Sequence, residues 1–427
     1  MNKLIHNQCL LYYFFIASFS VTAQITPNKT IFTNYGGLYI TPKTQIHTYY
    51  DFENQETGKV FNDGMMSFYG NYLNNGLFTY RTNSQTGLVE FKGQGGVAQE
   101  IKGEAPSSFY NISFDKTLAN YSFHLANDFS VEGTANLTNG VVFIDQEKGG
   151  SFLFSKGARQ KNASKNSHFD GMIIKEGNDA FQFPLGNKGK YRPAGISVSP
   201  NLKDVFLGRY IYEDEVFFKQ YKNKSSIIEL VDEKEYWIIE KQGKNQEGIM
   251  LTLSWSDETT PTELLSDPEL NLHIVRWDAE QEMWVDEGGV VDVLTKEITT
   301  PAQVSGYGYF TLGRIKPNKL LEGDIVIYNL VSANGDGRND YFKIDKIQKF
   351  PDNKVEIYNR WGTRVYETKN YDSNGNVFRG NSEGKGTLGK GGKLPTGTYF
   401  YIVTYQYKDA NGSRPIKKSG YLHLETN

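Results

Sequence analysis

The stretch NDGMMSFYGNYLNNGLFTY, Asn62 to Tyr80, sets the pattern for the first third of the chain. Apolar and polar side chains alternate over a few residues and then give way to Gly or to a pair such as Asn75-Gly76. Such alternation is typical of strands, and Asn-Gly favours tight turns because both positions accept a positive φ. The stretch therefore predicts short strands joined by tight turns.

Similar pieces recur between about residues 30 and 155, at a spacing of roughly 20 to 25 residues that is typical of stacked repeats. A repeat of this size cannot bury its apolar face alone, so neighbouring repeats stack on one another. We predict a β-solenoid or β-helix-like region over residues 24–160. An irregular β-sandwich is the alternative for the same residues.

The composition of the 427-residue chain supports an all-β fold, since it contains 28 Tyr and 27 Phe. Aromatic and β-branched side chains favour the half-buried surface of a sheet. The formal net charge is only −3, and no excess of Lys and Arg offers the basic footprint that nucleic-acid binding requires. We therefore expect no nucleic-acid partner.

The N-terminal residues resemble an export signal. Lys3 precedes the apolar run CLLYYFFIASFSV, Cys9 to Val21, which is too short to span a membrane in the mature chain. We predict a signal peptide over residues 1–23, cleaved between Ala23 and Gln24. Cys9 is the only cysteine, so the mature chain is expected to fold without disulfides.

Residues 165–315 contain recurring strand-length runs such as KEYWIIEKQ and GIMLTLSW, which predict a β-sandwich. Trp237, Trp255, Trp277 and Trp284 lie in such runs, and we expect them to fill the core. A sugar-stacking platform is the alternative role for some of them.

Catalytic patterns are sparse. The His residues are scattered, no HExxH is present and no GxSxG forms an elbow between a strand and a helix, so neither a zinc hydrolase nor an α/β-hydrolase is indicated. The acidic runs YEDEV (Tyr212–Val216) and VDEKEY (Val231–Tyr236) are interpreted as solvated faces. We expect a noncatalytic protein, and an unrecognised hydrolase whose paired carboxylates face a cleft is one alternative.

The last hundred residues, 324–427, are predicted to form a small C-terminal β-sandwich. They contain NGDGRNDYF (Asn334–Phe342), YNRWG (Tyr358–Gly362) and LPTGTYFY (Leu394–Tyr401) in that order. This series resembles the gliding-motility-associated C-terminal domain, the type B sorting domain of type IX secretion in Bacteroidetes. The residues that match the family motifs are Asn334, Gly335, Asp336, Gly337, Asn339, Asp340, Phe342, Asn359, Arg360, Trp361, Gly362, Pro395, Gly397 and Tyr399.

Three features depart from the family pattern. Ala333 stands where the family usually has Pro, and Phe378 stands where it usually has Trp. The tail Glu425-Thr426-Asn427 lacks the usual basic residue. The resemblance implies a secreted or cell-surface protein, exported by a Sec signal peptide and then by the type IX secretion machinery. The implied partners are that machinery and a PorP/SprF-like outer-membrane protein. An adhesin-like or structural role follows from the resemblance, with a carbohydrate-binding module as another alternative; the surface ligand is not identified.

The loop after Ala333 has two interpretations. Asn334, Asp336 and Asp340 present side-chain oxygens at the short spacing that a calcium loop uses, but the loop lacks a bidentate Glu at the twelfth position. Gly335 and Gly337 equally suit a rigid turn with positive φ. We interpret the loop as a rigid recognition turn, with calcium as the alternative and no other cofactor expected.

Overall fold

The chain is almost entirely β-structure. The computed structural model describes residues 30–93, 95–118, 121–243, 248–316, 324–359, 362–382, 391–409 and 412–426. About 51% of the chain is strand and 4% is helix, which confirms the all-β prediction. The predicted signal peptide, with Ala23 and Gln24, lies outside the described residues.

The N-terminal region is a parallel β-solenoid of about 6 turns, as predicted. Three faces run along it, each a ladder of parallel strands. The strands of face 1 are Ile31–Asn34, Asp51–Asn54, Tyr72–Asn74, Gln99–Lys102, Tyr121–Ala126, Val141–Ile144, Phe169–Asp170 and Leu185–Asn187. The strands of face 2 are Gly37–Ile40, Lys59–Asn62, Leu77–Thr79, Ser107–Phe109, Asp128–Val131, Ser151–Phe154 and Ile173–Glu176. The strands of face 3 are Gln45–Thr48, Met65–Phe68, Leu88–Phe91, Asn111–Asp115, Thr134–Asn139 and Arg159–Lys161.

The register of these ladders gives the length of a coil. Phe52 pairs with Tyr72, 20 residues on, and Gln99 pairs with Phe123, 24 residues on. One coil is longer, since Tyr72 pairs with Ile101, 29 residues on. The parallel stacking continues to Leu185–Asn187, beyond residue 160, where the sequence placed the end of the repeats.

Aromatic rings fill the solenoid. The ring centroids of Phe52 and Phe68 lie 5.0 Å apart, and the ring of Phe91 stacks on that of Phe114 at 5.6 Å. These four side chains are fully buried. Each coil therefore contributes rings that pack on the rings of its neighbours, within the 4.5–7 Å range that is favourable for aromatic pairs.

Buried amides join successive coils at the corner where face 1 ends. The Asn34 Nδ2 donates to Asn54 Oδ1 at 2.8 Å, and Asn54 Nδ2 donates to Asn74 Oδ1 at 2.8 Å. Asn74 Nδ2 donates to the Ser107 hydroxyl at 3.0 Å, and that hydroxyl donates to Asn127 Oδ1 at 3.0 Å. We call these residues (Asn34, Asn54, Asn74, Ser107 and Asn127) the corner ladder. It satisfies polar groups that would otherwise be buried without partners.

Face 2 continues without a break into an antiparallel sheet. Ile173–Glu176 pairs with Val205–Tyr212, which is the first antiparallel neighbour. The further strands of this sheet are Glu235–Lys241, Gly308–Ile315, Leu272–Asp278, Met283–Gly288 and, paired to Gly308–Ile315, Ile228–Val231. A short strand, Lys190–Tyr191, ends face 1 in the same antiparallel sense.

A second antiparallel sheet lies against the first. Its strands, in order, are Phe181–Phe183, Ala194–Ile196, Leu251–Ser254, Glu297–Thr299 and Val290–Asp292. A Cβ added at Gly208 of the first sheet would lie 2.8 Å from the Phe183 ring of the second, so the two sheets are in direct contact. Their buried side chains belong to the same apolar core as those of the solenoid.

Helices are few and short. The α-helices are Glu215–Gln220 and Pro268–Asn271, and the 3-10 helices are Gln146–Lys148 and Ile347–Lys349. Asp214 caps the first α-helix by accepting from Phe217 N at 3.0 Å. The Phe217 ring stacks on Tyr236 with centroids 3.8 Å apart, so the helix covers the outer face of the first sheet. Within the described ranges, no helix has the length and apolar character needed to cross a membrane.

The tryptophans of the middle region lie mainly in the interior. Trp237 and Trp255 are buried in the main core, as predicted, whereas Trp284 is buried in the separate cluster beneath the helix Glu215–Gln220. Trp277 is partly buried and packs edge-on against Trp284, with centroids 5.6 Å apart. The sandwich predictions for the middle and C-terminal regions stay predictions.

The C-terminal domain has a core of its own. Its five-stranded sheet contains, in order, Leu330–Ser332, Gly412–Glu425, Gly397–Asp409, Lys354–Asn359 and Arg364–Lys369. Val326–Ile327 and Ile344–Asp345 form a separate antiparallel pair. The first strand of the larger sheet runs parallel to the last strand of the chain.

We predict that Asn54→Ala destabilises the solenoid. The variant loses the bonds to Asn34, Asn74 and the carbonyl of Leu77, at a cost of about 1 to 3 kcal/mol because a buried partner is left unsatisfied. Urea denaturation followed by tyrosine fluorescence would measure this loss. Glu56→Ala, an exposed change in the adjoining turn, is the control, and equal midpoints for the two variants would contradict the prediction.

Candidate functional site

The Asn334–Phe342 loop is organised around one carboxylate. Asp340 Oδ1 accepts from Gly335 N at 2.7 Å, and Asp340 Oδ2 accepts from Gly337 N at 2.8 Å. The φ angles of Gly335 and Gly337 are +81° and +83°, in the left-handed region that glycine adopts without strain. The two glycines therefore direct their N–H groups to a single side chain.

Asn334 and Asp336 close two further turns. Asn334 Oδ1 accepts from Asp336 N at 3.0 Å, and Asp336 Oδ1 accepts from Arg338 N at 2.8 Å. Asn334 Nδ2 also donates to Asp336 Oδ2 at 3.0 Å. The bond from the Asn334 side chain, followed by that from the Arg338 backbone, lowers the pKa of Asp336. The loop is thus a run of side-chain-to-backbone turns.

These bonds bear on the calcium alternative. The side-chain oxygens of Asn334, Asp336 and Asp340 are already directed at N–H groups of the same loop. Among the described residues, no three His, Cys, Asp or Glu side chains are gathered as a metal site requires. The arrangement is that of a rigid turn, and a calcium cage would need six to eight oxygens; calcium binding stays a prediction.

Phe342 anchors the end of the loop. Its side chain is fully buried, and its N–H donates to the carbonyl of Phe378 at 2.9 Å. The Tyr371 hydroxyl donates to the Phe342 carbonyl and accepts from Phe378 N at 3.1 Å. Burial raises the pKa of Tyr371. Phe378, which replaces the usual Trp of the family, is fully buried and packs against Tyr366 with ring centroids 5.1 Å apart.

The second motif forms the tip of a hairpin between Lys354–Asn359 and Arg364–Lys369. Asn359 Oδ1 accepts from Thr363 N at 2.9 Å, and Gly362 N donates to the Asn359 carbonyl at 2.9 Å. Gly362 has a φ of +73°, which completes the turn. Arg360 and Trp361, the other two predicted residues of this motif, lie outside the described residues.

The third motif starts the long strand Gly397–Asp409. The Tyr399 ring is buried, and its hydroxyl donates to the Pro395 carbonyl at 2.8 Å. Thr396 and Thr426 tie this start to the end of the chain, because Thr426 N donates to Thr396 Oγ1 at 3.0 Å. Tyr371, Thr396 and Thr426 were not predicted, because no local pattern marks them. Phe342 lies 29 residues from Tyr371, and Thr396 and Thr426 lie 30 residues apart.

Sheet topology gathers the three motifs at one end of the C-terminal domain. Asn359 pairs with Tyr399, and Gly397 pairs with Leu424. Ala333 N, at the start of the loop, donates to the Glu425 carbonyl at 3.1 Å. The loop, the hairpin tip and the strand start therefore form one surface, which we call the motif end.

The middle region contains a pair of buried carboxylates. Glu235 Oε2 lies 3.2 Å from Arg192 Nε, and Glu235 Oε1 accepts from the Thr260 hydroxyl at 2.7 Å. Asp232 Oδ1 accepts from Lys234 N at 2.9 Å, while Asp232 Oδ2 has no hydrogen-bond partner in the described part of the chain. Burial, followed by the negative charge of Glu235, raises the pKa of Asp232 well above its usual value.

The burial of these two residues corrects the sequence analysis. Asp232 and Glu235 are fully buried, so the interpretation of VDEKEY as a solvated face is wrong at both positions. Glu235 can be buried because its carboxylate accepts hydrogen bonds from Arg192, Tyr210 and two threonines, which lie in distant parts of the chain. Both carboxylates lie inside the core and do not face a cleft.

Comparison with known proteins identifies the C-terminal domain. Residues 325–424 match the CHU_C type IX secretion signal domain, so this part of the chain is a type IX sorting domain. An uncharacterized membrane protein, ycf78, from Bigelowiella natans is 22% identical over 320 residues, which cover 68% of this chain and 32% of that protein. The chain thus spans about a third of that relative's length. No solved structure matches the chain.

A sorting domain of this class is an export signal. A type IX secretion signal implies export to the cell surface or release from the cell, and interaction with the type IX machinery. In this structure the hairpin tip of the motif end lies against the middle region, since a Cβ at Gly362 would be 3.0 Å from Ser197 Oγ.

We predict that Asp340→Ala loosens the loop. Two backbone N–H groups lose a charged acceptor, which costs about 1 to 3 kcal/mol. Hydrogen exchange followed by mass spectrometry should show faster exchange at Gly335 and Gly337. Asp352→Ala, at an exposed carboxylate of the same domain, should leave that exchange unchanged, and protection that survives in Asp340→Ala would refute the role of this carboxylate.

We predict that Asp232→Asn changes the pH dependence of stability. In the unfolded chain Asp232 ionises near pH 4, whereas in the folded protein it keeps its proton to a higher pH. The contribution of Asp232 to the free energy of unfolding is therefore fully present below about pH 4. As the pH rises toward the folded pKa, the wild type loses this contribution. The variant has no such proton to lose.

Melting temperatures at pH 4, 6 and 8 test the direction of this pH dependence. The stability of Asp232→Asn relative to the wild type should rise with pH. Glu233→Gln, at the exposed neighbouring position, should show no such trend. A constant difference between Asp232→Asn and the wild type at all three pH values would count against a protonated Asp232.

Proposed function

We propose that this chain is a noncatalytic, adhesin-like or structural protein of the cell surface or medium, exported by a signal peptide and then by type IX secretion. The observation that carries the proposal is the sorting domain at residues 325–424, whose three motifs meet at one end of its sheet. The PorP/SprF-like outer-membrane partner and the role in gliding motility belong to the same proposal.

The rest of the fold supports a scaffold role. A parallel solenoid presents a long, regular surface on which each coil adds a similar unit. Its interior is filled with aromatic rings. The middle region buries its paired carboxylates, Asp232 and Glu235, which supports a structural use of these groups rather than a hydrolytic one.

One observation favours the carbohydrate-binding alternative. Two aromatic pairs stack on the first coils: Tyr39 with Phe61 at 5.1 Å and Tyr49 with Tyr69 at 4.6 Å between centroids. Tyr39 and Tyr49 are each 58% exposed. Sugar rings stack on aromatic faces of this kind, so these pairs are where a glycan-binding function would lie.

Deletion of residues 324–427 tests the sorting function in the native host. The truncated chain should remain in the periplasm, because the signal that the outer-membrane machinery reads is gone. Fractionation and surface proteolysis of tagged cells would locate the protein, with the full-length tagged chain as control. Periplasmic protein that resists protease would show that the remaining domains fold, and surface delivery of the truncated chain would overturn the proposal.

A further inference from the structure

Exposed apolar side chains of the sorting domain are concentrated in one stripe. Among the residues of this domain that the structure describes, the large apolar side chains with high exposure are Val326 (46%), Tyr328 (40%) and Leu330 (39%). Of the residues between and beside them, Ile325, Ile327 and Val331 are buried or packed against the core, whereas Asn329 is exposed. The three exposed apolar side chains therefore lie within five residues of the chain.

The stripe spans two strands that belong to different sheets, and Val326–Ile327 pairs with Ile344–Asp345. Leu330–Ser332 is the first strand of the five-stranded sheet and pairs with Gly412–Glu425 on one side. On its other side, Ser332 N donates to the Asn339 carbonyl at 2.7 Å. The loop of the first motif therefore begins where the stripe ends, which makes the stripe continuous with the motif end.

Tyr328 is held in place before any partner arrives. Its hydroxyl donates to Asp345 Oδ2 at 2.8 Å, and Lys343 Nζ lies 4.7 Å from the centroid of its ring. Lys343 and Asp345 also form an ion pair at 3.3 Å. An aromatic side chain fixed in this way loses little freedom on binding, which is the property of an interface anchor.

The rim of the stripe is basic. Lys346 and Lys349 follow Asp345 and are exposed. The charge of segment 343–349 is +2, since it holds three lysines and one aspartate. A partner surface with an apolar centre and acidic side chains at its rim would complement this segment.

The small size of the stripe argues against a stable dimer of this chain. A stable protein interface buries about 800 Å² on each partner, far more than three partly exposed side chains provide. A small apolar stripe with a fixed aromatic anchor suits a brief, specific encounter. The sorting domain already requires a protein partner in the type IX machinery.

We propose that Val326, Tyr328 and Leu330 form the docking stripe by which a protein of the type IX machinery, apolar at its centre and acidic at its rim, recognises this sorting domain. The inference rests on the proposed function, because it names the surface through which that sorting takes place. The stripe supplies apolar contact, and Lys346 and Lys349 orient the partner.

The test replaces the stripe with threonine, which keeps strand propensity, in the full-length protein expressed in its native host. The triple variant Val326→Thr, Tyr328→Thr, Leu330→Thr should lower the ratio of surface to periplasmic protein by about tenfold or more, the scale of losing an interface anchor. The matched control is Val198→Thr, Leu202→Thr, Leu294→Thr, three exposed apolar positions of the middle region. This control should be exported normally, as should the apolar variant Val326→Ile, Leu330→Ile, which keeps Tyr328 and its bond to Asp345.

A second variant guards against misfolding. If the purified threonine variant melts below the wild type, Lys346→Glu with Lys349→Glu, which changes only exposed charges, decides the question and should also reduce export. If the threonine variant melts like the wild type and is exported normally, the docking stripe is overturned. If the threonine variant melts below the wild type, normal export of the charge variant overturns it. Deletion of residues 324–427 separates the two proposals: if only the deletion blocks export, sorting stands and the stripe falls, and if the deletion is exported, the sorting function falls.

Discussion

The spacing between neighbouring coils is the constraint on which the N-terminal structure depends. Backbone hydrogen bonds fix parallel strands about 4.8 Å apart, so each corner must repeat in the same place along the solenoid. The corner ladder meets this requirement, because the amide of Asn54 accepts from the coil before it and donates to the coil after it. Gly103 meets it differently: its φ is +134°, and a Cβ there would lie 1.9 Å from the Asn74 carbonyl oxygen. The asparagines and the glycine at these corners are thus consequences of one spacing.

That spacing could be read from the sequence because its causes are local. The turn residues and the alternating apolar side chains recur along the coils, so both the strands and the stacking could be predicted. The expected positive φ at Asn75 and Gly76 is wrong: neither residue has one, and Gly76 is needed because a Cβ there would lie 2.2 Å from the Gln55 carbonyl oxygen. The end of the solenoid could not be read in this way. Face 2 passes directly from parallel to antiparallel pairing at Ile173–Glu176, and a strand carries the same alternation whichever way its neighbour runs.

The candidate sites show the same difference between local contacts, which could be predicted, and long-range contacts, which could not. The loop of the first motif was predicted because Gly335, Gly337 and Asp340 lie within six residues and satisfy one another. The burial of Glu235 was not predicted, because the Arg192 that neutralises it is 43 residues away. Tyr371 was missed for the same reason. Long-range polar partners leave no periodic trace, so a buried carboxylate and a solvated one look alike in the sequence.

Topology also decides how a sorting signal of this kind can be recognised. The three motifs are separated along the chain, yet pairing of Asn359 with Tyr399 and of Gly397 with Leu424 brings them to one end of one sheet. The first strand joins that end only by pairing in parallel with the last strand of the chain. A receptor that contacts all three motifs at once can therefore bind them only after the last strand of the chain has joined the sheet. A receptor that read this surface would select chains whose C-terminal fold is complete.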